Sequence, residues 1–263
     1  MFPVKRIFAA MLALFLLVSF SALADSKKDK GKNEDVIRPV TAEVVEEIPD
    51  TIREILDLAY EQLVEVNGKN LGKKNKYTKW RNNGEFGWCG GFITWCMLEK
   101  GVPQQEWAKT EWGEVEGIVH VKEADVTKLN TGYRRMNRIT DVPQKGFLCV
   151  YGNVGEGGTG KYYHVGLVYD VVRLSESKYR ITTIEGNVTG KTVRMYIRDY
   201  DRNAEKKAKN MTLVPKEERD REESKIFSYG FAYKNRKMYI THFLMPWIPE
   251  EPQEPPESET PED

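Results

Sequence analysis

Three short segments carry the side chains that a cysteine hydrolase needs. Cys89 lies in the run FGWCGGFITWC, where a glycine-flanked aromatic turn leads into an apolar helix. His164 follows in YHVGLV, and Glu185 and Asn187 lie close together in IEGN. Unpaired N–H groups and the positive end of the helix dipole favour a thiolate at a helix start. A histidine can take up and return the thiol proton while a third group orients its ring. These four residues therefore predict a nucleophilic cysteine with its base and orienting group.

Two predicted strands must bring the histidine to its orienting group. Residues two apart on a strand share a face, so Glu185 and Asn187 both point into one cleft if the strand stays extended. The predicted hairpin has a four-residue loop that pairs Arg173 with Lys178. In this register His164 pairs with Asn187 and lies on the face that holds Glu185. A slip of one residue would turn His164 to the opposite face. The pattern leaves open whether Glu185 or Asn187 contacts the imidazole.

The remaining pattern places helices first and strands afterwards. The first predicted helix begins at Thr51, which has capping-box spacing to Glu54, and stops at Gly68. The second runs over 89–100, is apolar nearly all round, and is capped by Gly101. This order favours an α+β fold over alternating α/β units. The strands are predicted at 147–151, 164–172, 179–185, 192–197, 226–233 and 238–243.

The two ends of the chain are predicted to lie outside the folded domain. Residues 1–24 have a basic start, a short apolar run and a small-x-small end, which predicts a secretory signal peptide. Residues 25–48 predict a charged linker, and 49–248 the catalytic domain. The acidic, proline-rich stretch 249–263 predicts a disordered tail. We therefore expect a protein that is secreted, periplasmic or associated with the cell wall. Asn187 and Asn210 stand in the glycosylation acceptor patterns NVT and NMT, and a glycan on Asn187 would block the proposed site, so we expect a bacterial source.

Composition limits the partners. Lysine and arginine number 40 against 40 aspartate and glutamate, a balance that excludes nucleic acid as the expected partner. After removal of the signal peptide we expect a monomer without a membrane partner. Three histidines and three cysteines lack the short paired spacings of zinc sites, so we expect no metal and no cofactor.

The other cysteines, histidines and aromatic residues have plainer interpretations. Cys96 stands two helical turns from Cys89, beyond disulfide reach, and is expected with Cys149 as a small buried side chain. His120 and His242 are expected in structural or surface roles. Two aromatic residues near the cysteine are candidate substrate contacts, with core packing as the alternative: Tyr77 and Trp88.

Four segments in this order resemble the CHAP domain family. The runs NKYTKW and WCGGFITWC resemble the opening of that domain, HVGLV its histidine strand, and IEGN its Glu-Gly-Asn segment. The family comprises papain-like amidohydrolases and peptidases of the NlpC-type superfamily, found in enzymes that cut peptidoglycan. The resemblance implies a papain-like fold in which N-terminal helices pack on an antiparallel sheet. It gives Cys89, His164, Glu185 and Asn187 the family's catalytic roles.

The chain departs from the family at three places. Gly90 stands where the family usually has alanine, and Phe147 where it usually has aspartate. The segment 104–142 is longer than in a minimal domain and is expected as short helices and loops beside the cleft. These departures bear on the cleft walls more than on the chemistry.

The expected function is therefore a secreted cysteine amidase or endopeptidase that hydrolyses amide bonds of peptidoglycan peptides. One alternative is a non-catalytic wall-binding or adhesion module on the same fold. Another is a related thiol acyltransferase or transpeptidase, which would pass the acyl group to an amine instead of water.

Overall fold

The computed structural model describes residues 43–81, 85–154, 160–204, 209–232 and 238–250. The predicted signal peptide at 1–24 lies outside these residues, as do most of the predicted linker and most of the predicted tail. Within the described ranges, no helix is long and apolar enough to cross a membrane.

The first helix, α1, spans Asp50–Val66 and buries one apolar face. Thr51 lies inside its first turn, and no side chain caps the helix, so the predicted capping box of Thr51 and Glu54 is wrong. The helix ends at Asn67, whose left-handed φ of 44° is followed by a φ of 71° at Gly68. The predicted stop is thus confirmed to within a residue.

The second helix, α2, spans Cys89–Glu99 and is buried on nearly all sides. It ends before Gly101, which has the left-handed φ of 68° expected of a glycine cap. A third helix, α3, spans Val126–Arg135 and lies in the segment 104–142, for which short helices and loops are predicted. Its cap is Asp125, whose carboxylate accepts a hydrogen bond from the backbone N–H of Lys128 at 3.0 Å.

Strands form the other half of the fold. They are β1 Gln104–Gln105, β2 His120–Val121, β3 Ile139–Thr140, β4 Leu148–Val154, β5 Gly160–Arg173, β6 Lys178–Val188, β7 Thr192–Asp201, β8 Met211–Thr212, β9 Phe227–Ser228 and β10 Tyr239–Leu244, and the 3₁₀ turns are Lys76–Arg81 and Lys216–Glu218.

Most of these strands belong to one large sheet. Its strands run in the order β3-β10-β4-β5-β6-β7-β8, with antiparallel neighbours along this path, and β9 pairs in parallel with β7. The strands β1 and β2 form a separate small parallel pair. The architecture is therefore mixed α and β with few helices, which is compatible with the predicted α+β class.

The hairpin between β5 and β6 has a different register from the predicted one. Arg173 pairs with Tyr179 instead of Lys178, so the prediction at the turn is wrong by one residue. The pairing then shifts by one residue between Val168 and Asp170. This bulge cancels the slip before the strands reach the histidine.

Beyond the bulge the predicted register returns. Leu167 pairs with Ile184, and the next residue, Gly166, lies beneath Glu185. A β-carbon at Gly166 would stand 2.7 Å from Cγ of Glu185, so only glycine leaves room for the carboxylate to pass over the strand. His164 is two residues from Gly166 on β5 and therefore shares its face.

Helix α2 packs on strands β5 and β6 on one side and against the segment before α3 on the other. A β-carbon at Gly186 would lie 2.6 Å from Cβ of Phe92, so glycine lets the helix reach the sheet. On the other side, a β-carbon at Gly90 would meet the carbonyl oxygen of Ala124 at 2.5 Å. The segment containing Ala124 therefore accounts for glycine where an alanine would be expected.

Candidate active site

Cys89 is the first residue of α2 and lies at the edge of the core, with 6% of its surface exposed. The first helical hydrogen bond runs from the N–H of Phe92 to the carbonyl of Trp88 at 2.9 Å. The N–H of Cys89 itself belongs to the first helical turn, where backbone donors have no helical acceptor. The thiol thus lies where the backbone offers N–H groups and the positive end of a dipole.

The aromatic residues before the cysteine position this turn from within the core. Trp88 and Tyr77 are both fully buried, and their rings stack with centroids 5.4 Å apart. The indole N–H of Trp88 donates to the carbonyl of Gly72 at 3.0 Å. The predicted substrate-binding role of Tyr77 and Trp88 is therefore replaced by the packing alternative, because neither side chain has surface available to a substrate.

His164 and Glu185 form a buried pair on neighbouring strands. Nε2 of His164 lies 2.8 Å from Oε2 of Glu185, and neither side chain has exposed surface. The imidazole also stacks on the ring of Tyr151, with centroids 5.7 Å apart and planes 26° apart. Because Nε2 faces the carboxylate, Nδ1 is the ring nitrogen that can exchange a proton with the thiol of Cys89.

The second carboxylate oxygen of Glu185 accepts three hydrogen bonds on the side away from His164. Oε1 accepts from the hydroxyl of Tyr151 at 2.9 Å, the hydroxyl of Thr183 at 2.7 Å and Nη1 of Arg198 at 2.8 Å. Arg198 is itself 1% exposed. Sequence reasoning missed this second layer. One signal could have found it: Arg198 lies two residues from Tyr196 and two from Tyr200 on β7, so the three side chains share the buried face.

These contacts set the protonation of the site. Burial alone would lower the pKa of His164, but hydrogen bonding and charge from Cys89 and Glu185 outweigh it and raise that pKa to about 9. Burial alone would raise the pKa of Glu185, but the charge of Arg198, followed by that of His164, holds it well below its usual range. An imidazolium facing a cysteine and a permanently ionised carboxylate is the arrangement that supports a nucleophilic thiolate.

Asn187 does not share the position of Glu185. Its φ of 56° is left-handed, and β6 is irregular between Glu185 and Val188. The predicted alternation of faces therefore fails, because it assumed an extended strand. Nδ2 of Asn187 lies 3.5 Å from where a β-carbon on Gly87 would stand, next to the turn before the cysteine. The structure thus places Glu185 on Nε2 of His164, and Asn187 beside the cysteine turn.

A cleft of about 300 Å³ opens in front of Cys89. At its edge the buried carboxylate of Glu123 accepts from the guanidinium of Arg81 and, at 2.8 Å, from the N–H of Ala124. Nζ of Lys128 lies 3.6 Å from the same carboxylate. The residues that line the cleft include Arg81, Phe86, Cys89, Lys128, Tyr162 and Tyr163.

The other cysteines and histidines lie elsewhere in the core. Cys96 and Cys149 are free, fully buried thiols, and burial raises the pKa of each. His120 bonds Thr94 and Tyr133, both at 2.9 Å, and burial lowers its pKa to about 3. In the described part of the chain, no group of three or more histidine, cysteine, aspartate and glutamate side chains is arranged to hold a metal.

Comparison with known proteins identifies no relative of this chain. No protein-family model, no curated protein and no solved structure gives a significant match to the chain. The function is therefore inferred from the residues of the site.

The raised pKa of His164 predicts a loss of stability on the alkaline side. A histidine with an ordinary pKa of 6.5 when unfolded and about 9 when folded stabilises the fold fully below pH 6.5. That contribution, on the order of a few kcal/mol, is lost as the pH rises through about 9. Thermal unfolding followed by circular dichroism should show the midpoint falling across this window.

Two variants isolate the source of this slope. His164→Gln should remove most of it. His120→Gln should retain it, because the pKa of His120, at about 3, lies outside the window. An unchanged slope in His164→Gln would show that His164 is not protonated in the folded protein at neutral pH.

Proposed function

We propose that the protein is a secreted cysteine amidase or endopeptidase that hydrolyses amide bonds in peptides of bacterial peptidoglycan. The observation that carries the proposal is the buried pair of His164 and Glu185 beside a cysteine at a helix start. The proposed fold is papain-like, of the CHAP type. An antiparallel sheet with a cysteine-bearing helix packed on its histidine strand supports that assignment.

The first half of the reaction forms a thioester. The thiolate of Cys89 attacks the carbonyl carbon of the substrate amide, and a C–S bond forms as the carbonyl electrons move to oxygen. The N–H at the helix start is placed to donate to this oxyanion. The oxyanion collapses, the C–N bond breaks, and the imidazolium of His164 gives its proton to the departing amine.

The second half releases the acyl group. Neutral His164 takes a proton from water, and the resulting hydroxide equivalent attacks the thioester carbon. The C–S bond breaks, the product leaves as a carboxylic acid, and the thiolate–imidazolium pair returns. Glu185 stays ionised throughout, holding the ring and stabilising its positive form.

The peptidoglycan substrate is supported by the resemblance of four segments to a wall-cutting family and by the predicted signal peptide. The cleft of about 300 Å³ gives a peptide access to the front of Cys89. Such an opening favours a catalytic role over a wall-binding module with a blocked cleft.

Replacing the nucleophile tests the reaction. Purified protein is incubated with several purified peptidoglycans, and soluble fragments are identified by mass spectrometry. Wild type should release fragments with new carboxyl and amine ends, and Cys89→Ala should release none, because no other group in the site can form the thioester. Cys96→Ala should keep the activity, because this thiol is fully buried in the core.

Three outcomes would contradict the proposal. Equal release by wild type and Cys89→Ala would exclude the thiol mechanism. Co-sedimentation of both proteins with every wall, without any fragments, would indicate the binding module. Fragments joined to an added amine in preference to water would identify the acyltransferase.

A second pair of variants tests which residue orients the histidine. Glu185→Gln removes the negative charge on Nε2, so kcat should fall on the order of 10⁴-fold, as when an amide replaces the triad carboxylate of serine proteases. Asn187→Gly should lower kcat far less, because glycine accepts the φ of 56° and the carboxylate on Nε2 of His164 stays in place. Steady-state assays on a released wall peptide measure both. The reverse ranking would assign the orienting role to Asn187.

A further inference from the structure

A buried arginine stands directly behind the orienting carboxylate. Arg198 projects inward from β7 with 1% of its side chain exposed. Its Nη1 lies 2.8 Å from Oε1 of Glu185, 2.5 Å from the hydroxyl of Tyr151 and 3.0 Å from that of Thr183. Its Nε donates to the carbonyl of Gly230 at 3.3 Å. The guanidinium is thus tied to the backbone on one side and to the carboxylate on the other.

The two oxygens of Glu185 have separate partners. Oε2 faces His164, while all three donors from behind converge on Oε1. The hydroxyls of Tyr151 and Thr183 each accept a hydrogen bond from Arg198 and donate one to Oε1. These hydrogen bonds fix the rotation of the carboxylate about its terminal bond. The direction of Oε2, and therefore the orientation of the imidazole that it contacts, depends on Arg198.

We propose that Arg198 is a positioning residue for the cysteine–histidine pair, acting by keeping the Glu185 carboxylate ionised and turned toward His164. The proposal deepens the proposed thiol chemistry, on which it rests, but it does not depend on the substrate being peptidoglycan.

The charges around Glu185 explain why the arginine is needed. A carboxylate without exposed surface takes up a proton unless a positive charge compensates its burial. Burial raises the pKa of the neighbouring tyrosines and of the nearby thiol, so these groups stay neutral near pH 7. Among the groups with which Glu185 interacts, the permanent positive charge is that of Arg198. These groups are Cys149 and Tyr151 on β4, His164 on β5, Thr183 on β6, and Tyr196 and Arg198 on β7.

Alkylation of Cys89 by iodoacetamide tests the proposal without a substrate. The rate is followed across pH by mass spectrometry of the Cys89 peptide, which separates it from the two buried thiols. In Arg198→Gln the carboxylate of Glu185 should take up a proton near neutral pH. The positive form of His164 then loses its stabilising charge, and a smaller fraction of Cys89 is present as thiolate. The rate at neutral pH should then fall about tenfold for each unit by which the profile moves to higher pH, and recover at alkaline pH.

A matched control separates this effect from a general loss of an arginine. Arg180 on β6 pairs with Asp199 at 2.8 Å and with Glu218 at 2.7 Å. Arg180→Gln therefore removes an ion pair from the same sheet without touching Glu185, and its alkylation profile should match wild type. A wild-type profile in folded Arg198→Gln would overturn the proposal, as would an equal shift in Arg180→Gln.

The lysine variant separates charge from orientation and serves if the glutamine variant does not fold. Arg198→Lys keeps the positive charge but loses the fork that joins Gly230 to the carboxylate. Its alkylation profile should stay at the wild-type pH. In hydrolysis assays kcat should fall by roughly 10- to 100-fold at unchanged KM, because the imidazole is misplaced. Wild-type kcat in Arg198→Lys would refute the orienting role.

The outcomes also distinguish this proposal from the proposed function. If the wild type cleaves no wall but its alkylation profile depends on Arg198, the positioning role stands and the substrate assignment fails. If walls are cleaved and the pH profile of alkylation is the same in Arg198→Gln as in wild type, the proposed function stands and the positioning role fails.

Discussion

The rest of the site depends on one buried carboxylate. Glu185 lies between a positive arginine on β7 and a histidine on β5, with no exposed surface of its own. Removing one partner of such a buried pair typically costs about 3–5 kcal/mol, because an uncompensated charge is left in the core. The same desolvation makes the interaction directional, since no water competes for the carboxylate oxygens. The ionised state and the orientation of the histidine therefore have a common cause.

The sheet is shaped to accommodate this carboxylate. The bulge in β5 restores the register that puts His164 on the face of Glu185, and Gly166 leaves the space over which the carboxylate passes. Gly186 lets α2 approach the same strands closely enough to present Cys89. Each feature is a local departure from regular strand packing. Together they bring Cys89 on α2, His164 on β5 and Glu185 on β6 close to one another.

Residue types and periodicity predicted the main elements but not the details that aim the side chains. The apolar run after Cys89 and the alternating strands around His164 and Glu185 were sufficient to predict α2, β5 and β6. The turn register was wrong because a bulge is a tertiary adjustment that alternation does not reveal. Alternation predicts Asn187 on the histidine's face because it does not reveal the left-handed φ at this position. The sequence leaves Tyr77 open between cleft and core because an aromatic side chain suits both roles. Arg198 was missed because pairing across two strands depends on register.

The most direct test of the account is the protonation of His164 at neutral pH, measured by nitrogen-15 NMR of its ring. We predict an imidazolium with protons on both nitrogens, one of them in the hydrogen bond to Glu185. His120 supplies an internal reference, because its pKa of about 3 keeps that ring neutral. A neutral His164 ring with one unprotonated nitrogen would contradict the proposed mechanism, because a neutral imidazole cannot form an ion pair with the thiolate of Cys89.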